Sequence, residues 1–551
     1  MNSIKRLFNL LKLDKKDIYQ IWFYAAFSGV VSLSLPLGIQ AIISFIQAGE
    51  VTTSWIVLII IVSVGVLLGG FLSYMQLRIT ENVQQKIFIR STFEFAFRIP
   101  NIKHEEIYKH YPPELANRFF DTLSIQKGLP KLLIDYTSAF LQILFGVVLL
   151  SLYHPFFLFF GLIILLFLFI ILKFSFINGV ITSLKESKYK YKVAHWLQDI
   201  ARNYYVFKKP SYIDFALEKN NNFTQEYINN REKHFGIIKK QFVELVFFKF
   251  FITIFLLLIG GLLVINQKIN VGQFVAAELV ILLIINSIEK IILGLETLYD
   301  LVTSIEKIGQ ITDMQLENNT SNYTNQEYSN FTVNLDNVSY KYPDSSKYLF
   351  KNISLKIVEK EIILLNGDNG TGKSTLLKIL SGLIKPTSGQ LFINDNLFNV
   401  LNLPSYKNSI SYIFENQTLF EGTIYENLCL GKNISLDLLK ETIDVVGLSE
   451  FITQQPIGLQ TLIHTEGKQV SSSNIQKILI ARNILQKPKI LYLEEPTHEI
   501  DAQTALKIIS YLTLPKHKWS IFVVSKDPVW KKYTTKTLTL SNGKLLSDTN
   551  L

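Results

Sequence analysis

The chain has 551 residues, of which 48% are hydrophobic, and its formal net charge is +10. This length suffices for at least two domains, and so apolar a composition excludes an ordinary soluble protein and indicates a membrane portion. The one cysteine, Cys429, excludes an intrachain disulfide and a cysteine-based metal cluster. Because the basic residues lie mostly in loops between apolar runs, they indicate membrane orientation, and we expect no nucleic-acid partner.

Six apolar runs are long enough to cross a bilayer, which requires about 20 residues of helix. They lie at about 18–46, 54–76, 133–153, 156–177, 247–266 and 271–295. Helices are required because hydrocarbon offers a free backbone amide no partner. Residues 1–312 are therefore predicted to form a polytopic α-helical membrane domain with six transmembrane helices.

The connections between these runs alternate between short and long. The short connection at 46–53 has no Lys or Arg, whereas the long connections at about 77–132 and 178–246 are rich in both. The positive-inside rule therefore places both termini and both long loops in the cytoplasm. Their helical pattern predicts that the transmembrane helices continue into the cytosol and turn back there.

A polar segment rich in Asn and Thr, residues 313–330, has the composition of a linker. From Phe331 to the end, residues 331–551 alternate between strand and helix patterns. This alternation predicts a second domain of the α/β class.

A glycine-rich segment in this second domain follows a buried strand and precedes a helical pattern. Its motif is G-x-x-x-x-G-K-S, in which consecutive backbone amides surround phosphate oxygens at a helix N-terminus. A glycine-rich turn without a ligand is the alternative. The residues predicted to bind the nucleotide here are Gly367, Asn369, Gly370, Gly372, Lys373, Ser374 and Thr375.

A second apolar strand, Ile490–Leu493, ends in the carboxylates Glu494 and Glu495. Two adjacent acids suit a metal-organising group beside a water-activating group. Solvated acids at a strand end are the alternative. Together with the phosphate loop, the pair predicts a P-loop nucleotide-binding domain that uses ATP.

Together, the two motifs resemble the nucleotide-binding domain of the ATP-binding-cassette (ABC) family. The six preceding spans resemble its exporter branch, particularly type I secretion and bacteriocin peptide exporters, and Pro113–Asp121 is similar to the first coupling helix. The resemblance implies an ATPase and translocase that uses ATP and Mg²⁺, and two cassettes that sandwich two ATP molecules. It also implies that Tyr342 stacks on adenine and that Asp501 contacts the partner cassette.

Four motifs depart from the family pattern. Glu415 stands where the family has a glutamine, Glu494 replaces the metal-binding aspartate, and Lys526 replaces the switch histidine. In the signature loop, Ser471, Ser472 and Ser473 stand in a segment where the family has Ser-Gly-Gly. By resemblance, Ser374, Glu415 and Glu494 are the metal ligands and Glu495, Lys526 and Glu415 the catalytic residues. The departures predict ATP binding with slow or absent hydrolysis.

Two functions follow from this resemblance. The first is ATP-driven export of a peptide, protein or other amphipathic cargo by half of a dimeric transporter, either homodimeric or heterodimeric. The second is a pseudo-ATPase subunit that binds ATP and assembles or regulates a partner transporter. We expect an integral protein of the bacterial inner membrane with its nucleotide-binding domain in the cytoplasm. The bilayer, a second half-transporter and a periplasmic adaptor are the expected partners.

Overall fold

In a computed structural model, the chain divides into two compact units, Met1–Leu316 and Glu317–Leu551. The structure describes residues 3–49, 53–108, 110–317, 331–398 and 403–548. Most of the predicted linker lies outside the described residues, since only its first five residues, 313–317, are described. Each unit has its own apolar cores.

The first unit is built from helices. They are α1 (Ser3–Leu13), α2 (Lys15–Ser32), α3 (Ser34–Ala48), α4 (Thr53–Asn101), α5 (His104–Ile107), α6 (Pro112–Asn117), α7 (Asp121–Tyr153), α8 (Pro155–Arg202), α9 (Tyr204–Phe207), α10 (Pro210–Phe255), α11 (Gly261–Ile265) and α12 (Val271–Thr312). Within the described residues, six helical segments are long and apolar enough to cross a membrane. This number agrees with the six predicted spans.

Two spans are less regular than the apolar runs suggest. The first comprises two helices, α2 and α3, which meet at Leu33. Pro36 has no N–H to donate to the carbonyl of Ser32, which explains an interruption at this place. The fifth span passes from α10 through a π-helical turn, Leu256–Gly260, into α11.

Several helices are much longer than a bilayer is thick. Helix α8 has 48 residues, which correspond to a length of about 70 Å at 1.5 Å per residue. The hydrocarbon core is about 30 Å thick, so α8 extends well beyond it, as the helical pattern of the long connections predicts. The stretch that resembles a coupling helix forms α6 and the short 3₁₀ segment Arg118–Phe120.

Polar side chains join α8, α10 and α12 inside the helical unit. Gln241 donates a hydrogen bond of 2.7 Å to the buried hydroxyl of Tyr299, and the hydroxyls of Ser183 and Thr303 lie 2.8 Å apart. Gly179 leaves room for the ring of Tyr299, because a Cβ there would lie 2.2 Å from Cζ. A small residue facing a large one lets these helices approach closely.

The second unit is an α/β domain. Its strands are β1 (Val333–Tyr340), β2 (Phe350–Ile357), β3 (Ile362–Asn366), β4 (Ser388–Ile393), β5 (Asn396–Leu397), β6 (Ile410–Ile413), β7 (Gly422–Thr423), β8 (Leu462–Ile463), β9 (Ile490–Glu494), β10 (Ser520–Val524), β11 (Lys536–Ser541) and β12 (Lys544–Asp548). Its helices are α13 (Lys373–Leu380), α14 (Leu403–Ser409), α15 (Ile424–Cys429), α16 (Leu436–Val445), α17 (Ser449–Thr453), α18 (Ser472–Leu485) and α19 (Ala502–Leu512).

The strands form three sheets. The central six-stranded sheet has the order β12-β11-β3-β10-β9-β6, and an antiparallel four-stranded sheet has the order β2-β1-β4-β5. The short strands β7 and β8 pair with each other. Strands β9 and β10 are buried along their whole length, which explains why they are continuous apolar runs.

Four neighbouring strands of the central sheet, β3, β10, β9 and β6, run parallel. Their carboxyl ends therefore meet at one edge of the sheet, where ligands bind in open α/β sheets. The phosphate loop follows β3, the two glutamates end β9, and Lys526 and Glu415 follow β10 and β6. Sheet topology thus brings together segments that are far apart in the sequence.

Candidate nucleotide site

The phosphate loop connects β3 to α13 through glycines with positive φ angles. Gly372 is the N-cap of α13 with φ at +100°, and a Cβ there would lie 2.8 Å from Cγ of Leu349. Gly367 has φ at +146°, and its Cβ would lie 2.4 Å from the carbonyl oxygen of Leu540. A side chain at either position would clash as well as strain the backbone.

Lys373, the first residue of α13, lies over this loop. Its Nζ donates hydrogen bonds of 2.7 Å to the carbonyl oxygens of both Gly367 and Asp368. Burial lowers the pKa of Lys373, and the positive charge of Lys526 lowers it further. Two cations therefore face the same loop, which suits a polyanion such as a triphosphate.

Glu494 connects the phosphate loop to the segment after β6. Its carboxylate is buried and accepts a hydrogen bond from the hydroxyl of Ser374. The other carboxylate oxygen accepts one from the backbone amide of Glu415 at 3.1 Å. A hydroxyl beside a carboxylate is a set of hard oxygen donors that fits Mg²⁺. The side chain of Glu415 is exposed at the same edge.

Glu495 occupies an unfavourable backbone conformation, with φ at +41°. A non-glycine residue in this region costs about 1–3 kcal/mol and persists where the surroundings hold it in place. Here the hydroxyl of Ser525 donates to Oε2 at 3.2 Å, and the amide of Lys526 donates to both carboxylate oxygens at 3.2 Å. The end of β10 therefore fixes the orientation of this carboxylate.

Tyr342 lies next to the loop. Its hydroxyl is 2.8 Å from Oγ1 of Thr375 in α13, and its ring packs edge-on against Tyr340 with centroids 5.3 Å apart. The ring is partly exposed. An aromatic face beside a phosphate loop can stack on a nucleobase.

These segments enclose a cleft of about 820 Å³. Eleven of the residues predicted from the sequence line it, namely Tyr342, Asn369, Gly370, Gly372, Lys373, Ser374, Thr375, Glu415, Glu494, Glu495 and Lys526. The sequence reasoning missed Leu349, Thr497, His498, Val524 and Asp527 in the lining. It also missed Ser525. The one feature of the sequence that could have indicated this residue is its position between the end of β10 and Lys526.

The three signature serines lie outside this cleft. Ser471 is the N-cap of α18 and accepts a hydrogen bond from the amide of Asn474 at 3.3 Å. Ser472 is exposed and donates to Glu499 at 3.0 Å. Asp501 likewise caps α19, through the amide of Thr504 at 2.9 Å. Within one chain, the structure does not bring these residues to the phosphate loop.

A family model described as "ABC transporter" matches residues 350–498, a range that includes the phosphate loop, the signature serines and both glutamates. The chain carries an ABC transporter domain. The chain is 29% identical over 297 residues to a lactococcin-A transport/processing ATP-binding protein of Lactococcus lactis, an alignment that covers 54% of this chain and 41% of that protein. A colicin V secretion/processing ATP-binding protein of Escherichia coli is 30% identical over 174 residues, an alignment that covers 31% of this chain and 25% of that protein.

The chain matches between 25% and 51% of the length of such curated relatives. Its fold is similar along nearly the whole chain to that of a bacterial Atm1-family ABC exporter with ATP bound, with a TM-score of 0.83 and 16% sequence identity. That likeness covers 96% of this chain and 94% of the solved one. The chain therefore combines an ABC domain and six apolar spans in an exporter fold, and it is an integral membrane protein.

Proposed function

We propose that the chain is half of a dimeric ABC exporter, which binds ATP tightly and hydrolyses it slowly. The observation that carries this proposal is the composition of the cleft. It combines a complete phosphate loop and the catalytic-type carboxylate of Glu495 with altered residues at the two switch positions, Glu415 and Lys526. The similarity to bacteriocin transport proteins supports the export part of the proposal.

Each part of the cleft then has a separate role in ATP chemistry. The loop amides and Lys373 hold the phosphates, and Tyr342 stacks on the base, an interaction worth about 1–3 kcal/mol. Ser374 and Glu494, together with Glu415, would hold Mg²⁺, which supplies charge neutralisation at the phosphates. Glu495 is the general base that takes a proton from the attacking water, since its carboxylate is already oriented by Ser525 and the amide of Lys526.

The altered residues explain slow turnover. Glu415 adds a negative charge close to the γ-phosphate, and the two charges repel unless they share Mg²⁺. Lys526 retains a cation at the switch position but lacks the neutral nitrogen acceptor with which a histidine can position water. Glu494 has one more methylene than an aspartate and pushes its carboxylate further toward Ser374.

The dimer follows from the position of the signature segment. Ser471, Ser472 and Ser473 do not line the chain's own cleft, which supports a role at the nucleotide of a partner cassette. Ser472 and Ser473 replace glycines, and their side chains crowd a space where backbone amides approach the phosphates. Because one chain carries both altered signature and altered switch residues, every composite site that it forms is affected, in a homodimer or a heterodimer.

A second function is favoured by the same departures. A pseudo-ATPase subunit would bind ATP in order to assemble or regulate a partner transporter, without turnover of its own. Glu495 argues for the exporter, since nucleotide binding alone requires no general base and the strained backbone at this residue has a cost. The exporter is therefore the preferred function.

The remaining parts of the proposal concern topology and cargo. Both termini and the ABC domain lie in the cytoplasm, because Lys and Arg are concentrated in the long connections. The membrane is the inner membrane of a bacterium, as the bacterial sources of the relatives suggest. The cargo is a peptide, a protein or another amphipathic molecule, as the names of the relatives suggest. A periplasmic adaptor is a partner to be sought by co-purification.

The decisive experiment measures ATP turnover by the purified chain alone in lipid nanodiscs, beside a Glu495→Gln variant. We expect slow turnover in the original chain and a loss of about 100-fold or more in the variant, as for removal of a general base. ATP binding should be unchanged in the variant, because Lys373 and the loop remain.

Two outcomes would change the proposal. Fast turnover that Glu495→Gln abolishes would contradict the slow-hydrolysis part and leave the homodimeric exporter. Tight ATP binding without any turnover in either chain would favour the regulatory subunit or an obligate different partner. Affinity capture from membranes would then identify that partner.

A further inference from the structure

A second cleft of about 660 Å³ lies in the helical unit, between α7, α8 and α12. This volume is within the range of ligand pockets, about 300–1,000 Å³. Its lining is almost wholly apolar and comprises Tyr136, Phe140, Leu168, Phe169, Leu172, Lys173, Phe176, Ile177, Ile291, Leu295 and Leu298. No carboxylate lines it, and Lys173 is the one charged side chain in the lining.

The two polar side chains of this cleft lack partners. Lys173 is exposed and forms no ion pair with another described residue, and its Nζ lies 5.9 Å from the ring centroid of Phe169. The hydroxyl of Tyr136 is buried, and no hydrogen-bond partner for it exists in the described part of the chain. By contrast, Lys249 on α10 is paired with Glu289 at 2.6 Å. An exposed, unpaired cation in the lining of an apolar cleft favours an anionic ligand group.

Both polar residues lie near an end of their predicted spans, and Phe176 of α8 lines the cleft on the far side of Lys173. Tyr136 stands at the start of the span in α7, and Lys173 near the end of the span in α8. Phe140 is one turn further into the α7 span, and Phe169 one turn further into the α8 span. The lining on the inner side of Lys173, which includes Phe140 and Phe169, is therefore apolar.

We propose that this cleft binds one anionic membrane phospholipid. Its phosphate contacts Lys173, and one acyl chain lies against Phe140 and Phe169. The chemistry is that of a snorkelling lysine at a bilayer interface, where its stem covers apolar surface and its charge meets a headgroup. This site is separate from the nucleotide cleft and does not depend on export by the chain.

The test uses the full chain, purified and reconstituted with equal amounts of a phosphatidylglycerol and a phosphatidylcholine of the same acyl composition. Native mass spectrometry then counts the lipids that the chain retains. We expect preferential retention of phosphatidylglycerol, and a fall of about fivefold in that preference for Lys173→Gln, the effect of one lysine near an anionic surface. Lys188→Gln is the matched control, because Lys188 is an exposed lysine on α8 about four turns away, outside the cleft.

A photoreactive phosphatidylglycerol with a diazirine on its acyl chain provides a second measurement on the unmodified chain. The proposal expects labelled peptides that contain Phe140 or Phe169. Equal retention of the two lipids, an unchanged preference in Lys173→Gln, or labelling only elsewhere would each overturn it. An absence of labelling in the cleft of a dimer would show instead that a second copy of the chain covers this surface.

Discussion

The two sides of the nucleotide cleft differ in which segments of the sequence supply their functional groups. On the phosphate-loop side, one short segment supplies every group, and its glycines admit no side chain at Gly367 or Gly372. On the switch side, the groups come from the ends of three different strands, β6, β9 and β10, and Glu415 and Lys526 depart from the family pattern. The phosphate-binding groups thus come from one continuous segment that matches the family pattern. The catalytic groups come from segments far apart in the sequence, and the departures within the cleft are among them.

The largest effect on ATP affinity is expected on the phosphate-loop side. Lys373→Ala should weaken ATP binding about 10- to 100-fold, since a hydrogen bond to a charged group contributes about 1.5–3 kcal/mol. Equilibrium titration with a fluorescent ATP analogue measures this. Lys440→Ala, a change of an exposed lysine on α16, is the control. Equal affinities in the two variants would show that the loop lysine does not hold the phosphates.

The signature segment comes next. Changing Ser472 and Ser473 together to glycine should raise ATP turnover about tenfold, because it removes two side chains from the approach to the partner's phosphates. The N-cap hydrogen bond of Ser471 remains, so α18 should stay folded. Steady-state phosphate release by the reconstituted dimer measures this change.

Ser449→Gly, at the start of α17, is the control for a loss of helix stability. No rise in turnover in the double variant would mean that the signature serines do not limit hydrolysis.

A smaller effect is expected at Ser525, which we regard as a positioning residue. Ser525→Ala removes the hydroxyl that donates to Glu495 and should lower kcat about three- to tenfold, while KM for ATP stays constant. Ser525→Thr should restore most of kcat, because it restores the hydroxyl. Ser520→Ala, at the other end of β10, is the matched control. A parallel change in both variants would indicate general destabilisation of the strand.

The smallest effect concerns pH. Burial, and then the charge of Lys526, lower the pKa of Lys373, so Lys373 loses its proton at a lower pH than an ordinary lysine does. ATP binding, which requires the charged form, should therefore weaken on the alkaline side. Lys526→Ala removes a neighbouring cation, which raises the pKa of Lys373. The alkaline loss of ATP binding should therefore move to a higher pH, by less than one pH unit. Titrations with ATP at several pH values measure this shift, and Lys531→Ala is the control variant.

The sequence alone could predict the phosphate-loop side because its signal is contiguous. Strand, glycine loop and helix follow one another between Ile362 and Leu380, and the spacing of Gly367, Gly372 and Lys373 has one well-defined geometry. The six spans could likewise be predicted, because the length of an apolar run alone indicates a membrane helix.

Contacts between distant segments could not be predicted in this way. Two examples are the hydrogen bond from the Glu415 amide to the Glu494 carboxylate and the one from the Ser525 hydroxyl to the Glu495 carboxylate. Both depend on the order of β6, β9 and β10 in the sheet. The break at Leu33 was missed because the apolar run continues through it, although Pro36 was a local signal.

The order of strands in the central sheet also has a consequence for biosynthesis. Strand β10 lies between β3 and β9, yet it is made after both of them. At about 5–20 residues per second, the roughly 160 residues between β3 and β10 take about 10–30 s to emerge from the ribosome. During this interval β3 lacks both of its neighbours in the sheet, β10 and β11, and unpaired strand edges promote aggregation. Strand β9 can pair with β6 as soon as it is made, but its other edge also waits for β10. A nascent ABC domain of this topology should therefore depend on chaperones until β10 has been synthesised.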